Sequence, residues 1–193
     1  MKTLVFFLEE PSAREMLEGV LPRILPDNIQ PRFLVFQGKQ DLEKNLKKRL
    51  QGWMTPDSFF VVMRDQDSGD CIEIKNKLAS LCNEAGRDGV LIRVACRELE
   101  SFYLGDLAAV GQGLGLKGIA NQQQKRKFRN PDELFNPADE LYRLTENKYD
   151  KIAGSRAIAP YLSLETNRSN SFRVLLTGII SLVACCGRKG DAH

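Results

Sequence analysis

Four short apolar runs recur along the first part of the chain, and each is followed by a stretch in which apolar residues have helical spacing. The runs span residues 3–8, 33–36, 59–63 and 90–96 and are rich in Val, Phe and Leu, which is typical of strands buried on both faces. Neighbouring parallel strands need a crossover connection, which is usually a helix. The repetition therefore predicts an α/β fold with a four-stranded parallel sheet and helices on both faces.

The pattern changes after residue 110. Glycines at positions 111, 113, 115 and 118 predict a flexible link, a polar basic run covers residues 121–131, and an apolar stretch with helical spacing covers residues 172–186. We therefore expect two parts: a core of residues 1–111, and a basic, mostly helical extension of residues 112–193 that packs on it. A chain of 193 residues is long enough to bury one core with such an extension.

Acidic residues follow three of the four predicted strands. They are Glu9 and Glu10 after the first strand, Asp65 and Asp67 after the third, and Glu98 and Glu100 after the fourth. Parallel strands end at the same edge of a sheet, where open α/β sheets hold their ligands, so these acids should converge. Asp65 and Asp67 project to the same side if the extended conformation continues through Gln66.

The chemistry that such a cluster favours is the binding of a divalent cation. Closely placed carboxylates repel one another, and hard cations such as Mg²⁺, or Mn²⁺ in its place, take carboxylate oxygens as ligands. A coupled acid/base pair, or acids that accept hydrogen bonds from solvent and helix N–H groups, are the alternatives. Either Glu9 or Glu10, and either Glu98 or Glu100, could be the ligand at the first and fourth strands.

Composition narrows the chemistry further. Hydrophobic content of 42% and charged content of 27% are those of a soluble globular protein, and no apolar run approaches the roughly 18–20 residues of a membrane span. Five cysteines without a CxxC pair, and a first segment unlike a signal peptide, predict a cytoplasmic protein with reduced thiols. Because His193 is the only histidine in this sequence, we expect no Ser-His-Asp or Cys-His site and no His-rich zinc site.

Basic residues are concentrated in the predicted extension. Residues 112–193 contain 13 Lys and Arg against 8 Asp and Glu, whereas the earlier part is slightly acidic. An acidic site beside a basic half suits a polyanionic substrate reached through a metal, and an unevenly charged solvated surface is the alternative. The candidate phosphate ligands are Lys125, Arg126, Lys127, Arg129, Lys151, Arg156 and Arg168. Phe128, within the basic run, could stack on a base.

The acids also carry a family resemblance. Glu9 and the motif Asp65-Gln66-Asp67 resemble the Glu and the DxD of the Toprim domain, the metal-binding module of topoisomerases, primases and OLD-type nucleases. The segments LEEPS (8–12), RDQDSGDC (64–71), LESFYLGD (99–106) and NRSNSF (167–172) resemble a family of small bacterial and archaeal Toprim-like proteins over nearly the whole chain. Glu10 is a departure, because Toprim domains usually have Gly at this place.

The resemblance implies a Toprim-like sheet and Mg²⁺-dependent phosphoryl chemistry on nucleic acid. It implies that Glu9, Asp65, Asp67 and Glu100 are catalytic, with Glu98 as a further candidate metal ligand. It also implies a partner protein, for which an ATPase is the candidate, in phage defence or DNA maintenance. The expectation is therefore a metal-dependent nuclease. Two alternatives are a non-catalytic module of the same fold that binds nucleic acid or protein, and a receiver domain, which is disfavoured because it needs a Lys after a fifth strand.

Overall fold

The computed structural model describes residues 1–188, and its centre is one four-stranded sheet. The strands are β1 (Lys2–Leu8), β2 (Ile29–Val35), β3 (Ser58–Asp65) and β4 (Leu91–Ala95). Every neighbouring pair is parallel, and the spatial order is β2-β1-β3-β4. The predicted α/β class with a four-stranded parallel sheet is confirmed.

Helices follow the strands and then continue alone to the end of the described chain. They are α1 (Pro11–Val20), α2 (Lys39–Gln51), α3 (Cys71–Glu84), α4 (Glu100–Leu104), α5 (Leu107–Leu114), α6 (Pro137–Leu144), α7 (Lys151–Ile158) and α8 (Asn170–Arg188). Short 3₁₀ turns connect several of the later helices. The sequence pattern predicted most of these elements, but it missed α5, part of which lies in the predicted glycine link, and α7, whose start is marked only by its capping residue Asp150.

Side chains of β1 alternate between two hydrophobic clusters, one on each face of the sheet. Leu4 and Phe6 pack with α1 and the later helices, whereas Val5 and Phe7 pack with α2 and α3. Full burial of a side chain of this size stabilises the fold by about 1.5–3 kcal/mol. A strand that is apolar at every position is therefore stable only with both faces covered.

Local capping starts the helices at the carboxyl edge of the sheet. Pro11 begins α1, where a missing N–H group costs nothing because the first turn has no partner for it. At α3 the Oδ1 atom of Asp70 accepts hydrogen bonds from the N–H groups of Ile72 and Glu73, at 2.8 and 2.9 Å. Pro11 and Asp70 thus determine where the helices after β1 and β3 begin.

The later helices share a hydrophobic cluster with the sheet. Phe128, Leu141, Ile158 and Phe172 are buried in the cluster that contains Leu4 and Phe6. A chain segment that buries this many apolar side chains against the strands is held rigidly, because exposing them again would cost several kcal/mol. The helical extension is thus packed on the face of the sheet that α1 covers.

Two glycines of the predicted flexible link lie inside a helix, so that part of the prediction is wrong. Gly111 and Gly113 belong to α5, and Gly113 faces α7. A Cβ atom at Gly113 would lie 2.5 Å from the carbonyl oxygen of Ala157 and 2.7 Å from the Cα of Ile158. The glycine is therefore needed for close approach of two helices rather than for flexibility.

Within residues 1–188, no helix has both the length and the apolar character that crossing a membrane requires. His193 and the last residues of the predicted extension lie outside the described part of the chain.

Candidate functional site

The candidate site lies between two neighbouring strands, β1 and β3, whose following helices pack on opposite faces of the sheet. β1 leads into α1 on one face, and its neighbour β3 leads into α3 on the other face. The carboxyl ends of two such strands enclose a crevice, which is the usual position of ligands in open α/β sheets. Glu9 directly follows β1, Asp65 is the last residue of β3, and Glu100 begins α4 soon after β4. The acids thus converge at one edge, as the strand ends predicted.

Asp65 is at the centre of this acidic cluster. Burial raises the pKa of its carboxyl group well above the usual value, and the charges of Glu100, Glu9 and Glu10 raise it further. The N–H group of Leu99 donates a hydrogen bond that opposes this shift. Asp65 is therefore a carboxylate in an electrostatically unfavourable position, which a bound cation would relieve.

Glu9 is held against the start of the loop that follows β3. The residue is only 7% exposed, and its Oε2 atom accepts a hydrogen bond from the N–H of Asp65 at 3.1 Å. The guanidinium Nε of Arg64 lies 3.6 Å from the same oxygen. Burial raises the pKa of Glu9, while the hydrogen bond from Asp65 and the charge of Arg64 oppose that shift. The N–H of Asp65 and the guanidinium group of Arg64 therefore hold the carboxylate of Glu9 beside Asp65.

Glu100 is more deeply buried, with 1% of its surface exposed. Its Oε1 atom accepts a hydrogen bond from the hydroxyl of Tyr149 at 2.9 Å, and its Oε2 atom is buried without a hydrogen-bond partner among residues 1–188. Burial raises the pKa of Glu100, and nearby Lys151 opposes the shift. An unpartnered buried carboxylate oxygen costs free energy and is typical of a position where a ligand is missing.

Lys151 is a positive charge whose field acts on the acids of this cluster. Its Nζ atom lies 3.4 Å from Oε2 of Glu10. Burial by itself would lower the pKa of Lys151, but the charges of Glu100, Glu10 and Asp65 outweigh burial and raise it. The sequence singled out Lys151 as a phosphate ligand, and the structure brings it to the acids from the otherwise unpredicted helix α7.

Asp67 does not share the side of Asp65, because the extended conformation does not continue through Gln66. β3 ends at Asp65, and the backbone of Asp67 has a φ of +53°, in the left-handed region. The Oδ2 atom of Asp67 lies 2.9 Å from Nζ of Lys39 and 3.5 Å from Nη2 of Arg64. Asp67 is therefore at the same edge of the sheet, where its charge contributes to the raised pKa of Glu9, but Lys39 and Arg64 already pair with it.

Glu98 and Glu100 have different environments. The Oε2 atom of Glu98 accepts a hydrogen bond from the N–H of Ala138 at 2.8 Å, at the start of α6. Glu98 thus connects the loop after β4 to the extension, and its charge contributes to the raised pKa of Glu100. The buried carboxylate that faces Asp65 is that of Glu100.

The donor chemistry of the cluster suits a hard cation, since every candidate ligand is a carboxylate oxygen. The raised pKa values of Asp65 and Glu100 and the unpartnered Oε2 atom of Glu100 also favour a cation at this position. In the arrangement described for residues 1–188, however, no three Asp, Glu, His or Cys side chains are spaced to hold a metal ion. Metal binding at this edge would therefore require side-chain rotation of Glu9, Asp65 or Glu100.

The basic run contains both exposed and paired residues. Lys125, Arg126 and Arg129 are exposed, whereas Lys127 forms an ion pair with Glu140 of α6. Phe128 is fully buried, so the prediction that it stacks on a base is wrong. Its apolar ring packs in the hydrophobic cluster that contains Leu4 and Phe6, while the basic residues on either side of it lie at the surface.

Two further predicted phosphate ligands have partners within the protein. Nη1 of Arg168 donates to the carbonyl oxygen of Gln123 at 2.6 Å. Arg156 forms an ion pair with Glu15, with its Nε 2.6 Å from the carboxylate. Arg168 therefore supports the turn that precedes the basic run, and Arg156 connects α7 to α1.

Sequence reasoning missed Arg64 and Tyr149, which orient two of the acids. Arg64 is 5% exposed and also lies 2.8 Å from Oε1 of Glu43 on α2. A basic residue near the end of an otherwise apolar strand is a signal that could have found Arg64. Tyr149 is separated from Glu100 in sequence and follows no motif, so only the fold brings them together.

The comparisons with known proteins identify a family without an assigned function. No curated protein and no solved structure matches this chain. The model of a family described as a domain of unknown function, DUF4276, matches residues 8–180. The match extends from the last residue of β1 into α8, so it includes the acidic cluster, α6 and α7. The chain belongs to the DUF4276 family.

Proposed function

We propose that this protein is a Mg²⁺-dependent phosphodiester hydrolase that acts on nucleic acid, with a Toprim-like catalytic centre at the carboxyl ends of β1 and β3. The observation that supports it most is the convergence of Glu9, Asp65 and Glu100 from three strand ends, with mutual repulsion and burial raising the pKa of Asp65. Desolvated carboxylates at a sheet edge are stable only with a cation or with protons.

Three residues of the cluster would hold the metal. Asp65 is the central ligand, and Glu9 and Glu100 are the flanking ligands, with Mn²⁺ as a substitute for Mg²⁺. When bound, the metal would neutralise charge on phosphate oxygens and lower the pKa of a bound water. Asp67 is not one of the ligands in this proposal, because Lys39 and Arg64 already pair with it.

The neighbouring side chains would orient these acids and the substrate. Arg64 and the N–H of Asp65 hold Glu9, and Tyr149 holds one oxygen of Glu100. Lys151 is placed to contact a substrate phosphate, because the charges of Glu100 and Asp65 act on its ammonium group, which also pairs with Glu10 at this edge. Each residue thus contributes orientation or charge rather than covalent chemistry.

The exposed basic residues would bind the phosphate backbone. We expect the double change Lys125→Glu with Arg126→Glu to weaken binding to DNA and to lower the slope of log affinity against log salt by about one unit for each phosphate that is no longer neutralised. Fluorescence anisotropy at several salt concentrations would measure both. Lys127 is left unchanged, because a Glu there would repel Glu140 and disturb α6.

The control is a second double variant that changes the charge by the same amount on the other face of the sheet. Lys44 and Lys48 are exposed on α2, which packs on the opposite face from the basic run. The change Lys44→Glu with Lys48→Glu should leave the salt slope near the wild-type value. Equal losses in the two double variants would mean that net charge alone, and not the basic run, attracts nucleic acid.

The proposed setting of this activity is the cytoplasm, together with a partner protein. The free cysteines of the described chain, Cys71, Cys82, Cys96 and Cys185, suit the reducing cytoplasm. The resemblance to Toprim-like proteins supports a partner ATPase and a role in phage defence or DNA maintenance. Co-purification with an ATPase encoded next to this gene would test the partnership.

The decisive experiment is incubation of the purified protein with end-labelled DNA and RNA. We expect cleavage with Mg²⁺ or Mn²⁺ and none with EDTA, because the carboxylates cannot act on a phosphate without a cation between them. Absence of cleavage under every metal condition, for both nucleic acids and with the partner present, would contradict the proposal.

The second candidate is a non-catalytic module that binds nucleic acid. The pairing of Asp67 with Lys39 and Arg64 favours it, since an ion pair inside the protein removes one carboxylate from any metal. Binding that persists in EDTA and is never followed by cleavage would distinguish this function from hydrolysis.

A further inference from the structure

Phe135 is an aromatic side chain held at the surface. It is 79% exposed, although Leu134 packs against the core on one side of it in sequence and Pro137 is buried on the other. The two flanking residues anchor the segment to the core, while the ring between them is left in solvent. An exposed ring of this size leaves apolar area in water that a flat ligand could cover.

Arg97 lies over the same ring. Its guanidinium carbon is 5.9 Å from the ring centroid of Phe135. The backbone of Arg97 is fixed, because its N–H donates to Oε1 of Gln66 at 3.2 Å and its carbonyl oxygen accepts from the N–H of Asp67 at 2.8 Å. The Arg97–Phe135 pair is therefore attached to the loop that directly follows Asp65.

The segment that carries Phe135 is anchored to the same edge of the sheet. Glu98 accepts its hydrogen bond from Ala138, three residues after Phe135. Glu140, in the same helix α6, pairs with Lys127 of the basic run. Phe135 is thus connected on one side to the loops that hold the acidic cluster and on the other to the basic residues.

We propose that Phe135 and Arg97 form a stacking platform for an unpaired base, and that the substrate of the acidic cluster is single-stranded nucleic acid. The inference rests on the proposed function and deepens it. A base of a duplex is stacked on its neighbours, whereas an unpaired base can cover an aromatic ring, and a guanidinium group over the ring strengthens the contact. The basic run would hold the backbone of the same strand.

The test measures binding in EDTA, where no cleavage occurs, by fluorescence anisotropy with three labelled probes. They are a short single-stranded DNA of mixed sequence, the same DNA as a blunt duplex, and a single strand of equal length in which the bases are replaced by abasic sites. The wild type should bind the intact single strand most tightly. Phe135→Ala should weaken that binding about tenfold, the effect of losing one stacked base, and should leave binding of the abasic strand unchanged.

Two substitutions at the same position separate stacking from hydrophobicity. Phe135→Leu keeps apolar bulk without an aromatic ring and should lose as much affinity as Phe135→Ala. Phe135→Trp should retain wild-type affinity, because indole stacks at least as well. The matched control is Tyr161→Ala, since Tyr161 is 49% exposed in the turn that contacts Arg23, at the far end of α1 from the acids. It should bind all three probes like the wild type.

The failure of the platform and the failure of the hydrolase proposal can be distinguished in these experiments. Equal affinity of the wild type and Phe135→Ala for the intact strand, or equal losses on the intact and abasic strands, would overturn the platform. Cleavage by the wild type with Mg²⁺ in that case would leave the hydrolase proposal standing. Conversely, a Phe135-dependent preference for single strands without cleavage in any metal would support the platform and contradict the hydrolase.

Discussion

Replacing Asp65 by Asn is expected to abolish metal-dependent cleavage while it stabilises the metal-free protein. Loss of a group that merely supports a metal ligand costs about 10–100-fold in affinity or activity, so loss of the central ligand should reduce cleavage by at least about 10²-fold. In the metal-free protein the same change removes a carboxyl group whose charged form is disfavoured by burial and by repulsion from Glu100, Glu9 and Glu10. One substitution should thus have opposite effects on activity and on stability.

The stability effect should depend on pH in a defined direction. The pKa of Asp65 is raised in the folded protein above its ordinary value of 3.8, so the folded state binds more protons than the unfolded state at pH values above that value. The stability of the wild type should therefore fall as pH rises through this window. Asn cannot titrate, so the variant should lose less stability over the same range.

Thermal melts with and without metal would measure both effects. At neutral pH without metal, the variant should melt above the wild type, and each 1 kcal/mol gained would appear as about 2–4 °C in a protein of this size. Added Mg²⁺ should raise the melting temperature of the wild type alone, by mass action on the folded state. An Asp65→Asn variant that Mg²⁺ stabilises equally, or that cleaves normally, would mean that Asp65 is not a ligand.

Asp67→Asn is the matched control for this prediction. It also removes one carboxylate from the same motif, but it breaks an exposed ion pair with Lys39 that is worth at most about 1 kcal/mol. We expect a small loss of stability and retained cleavage. If Asp67→Asn instead abolishes cleavage, Asp67 must leave Lys39 and join the metal, as the DxD resemblance implies.

Gly113→Ala is expected to destabilise the protein by about 2 kcal/mol net, because overpacking of a close contact costs up to about 3 kcal/mol and here the clash is with backbone. Helix propensity alone would favour Ala over Gly by about 1 kcal/mol. A net loss must therefore come from the contact between α5 and the carbonyl oxygen of Ala157, which cannot rotate away as a side chain would.

Urea denaturation would measure the change. Gly52→Ala is the control, since Gly52 has an ordinary φ of −77° and the nearest atom to an added Cβ would be 3.4 Å away. That variant should differ from the wild type by less than about 1 kcal/mol, with any change toward greater stability. If Gly113→Ala is also neutral, α5 and α7 are not packed as closely as described, and the interpretation of Gly113 as a flexible residue would be restored.

The order of residues along the chain is enough to specify the sheet and the edge at which the acids lie. Runs that are apolar at every position, such as residues 3–8, must be covered on both faces, and helices between parallel strands are the way to cover them. Once the strands are parallel, residues that follow them reach one edge. Glu9, Asp65 and Glu100 therefore meet at this edge because each of them lies at or just after the end of a strand.

Contacts between distant elements select which polar and aromatic side chains face the site. Asp67 does not continue the strand, because its backbone adopts a left-handed conformation. Its N–H donates to the carbonyl oxygen of Arg97 and its carboxylate pairs with Lys39, and neither partner is close to it in sequence. Phe128 and Phe135 are both aromatic residues in polar surroundings, yet one is buried and the other is exposed. The difference arises because the apolar cluster under the extension, formed by helices distant in sequence, has room for the ring of Phe128, while Leu134 and Pro137 fill the positions beside Phe135. Local pattern specifies what each residue prefers, but the packing of the whole chain determines which preferences are met.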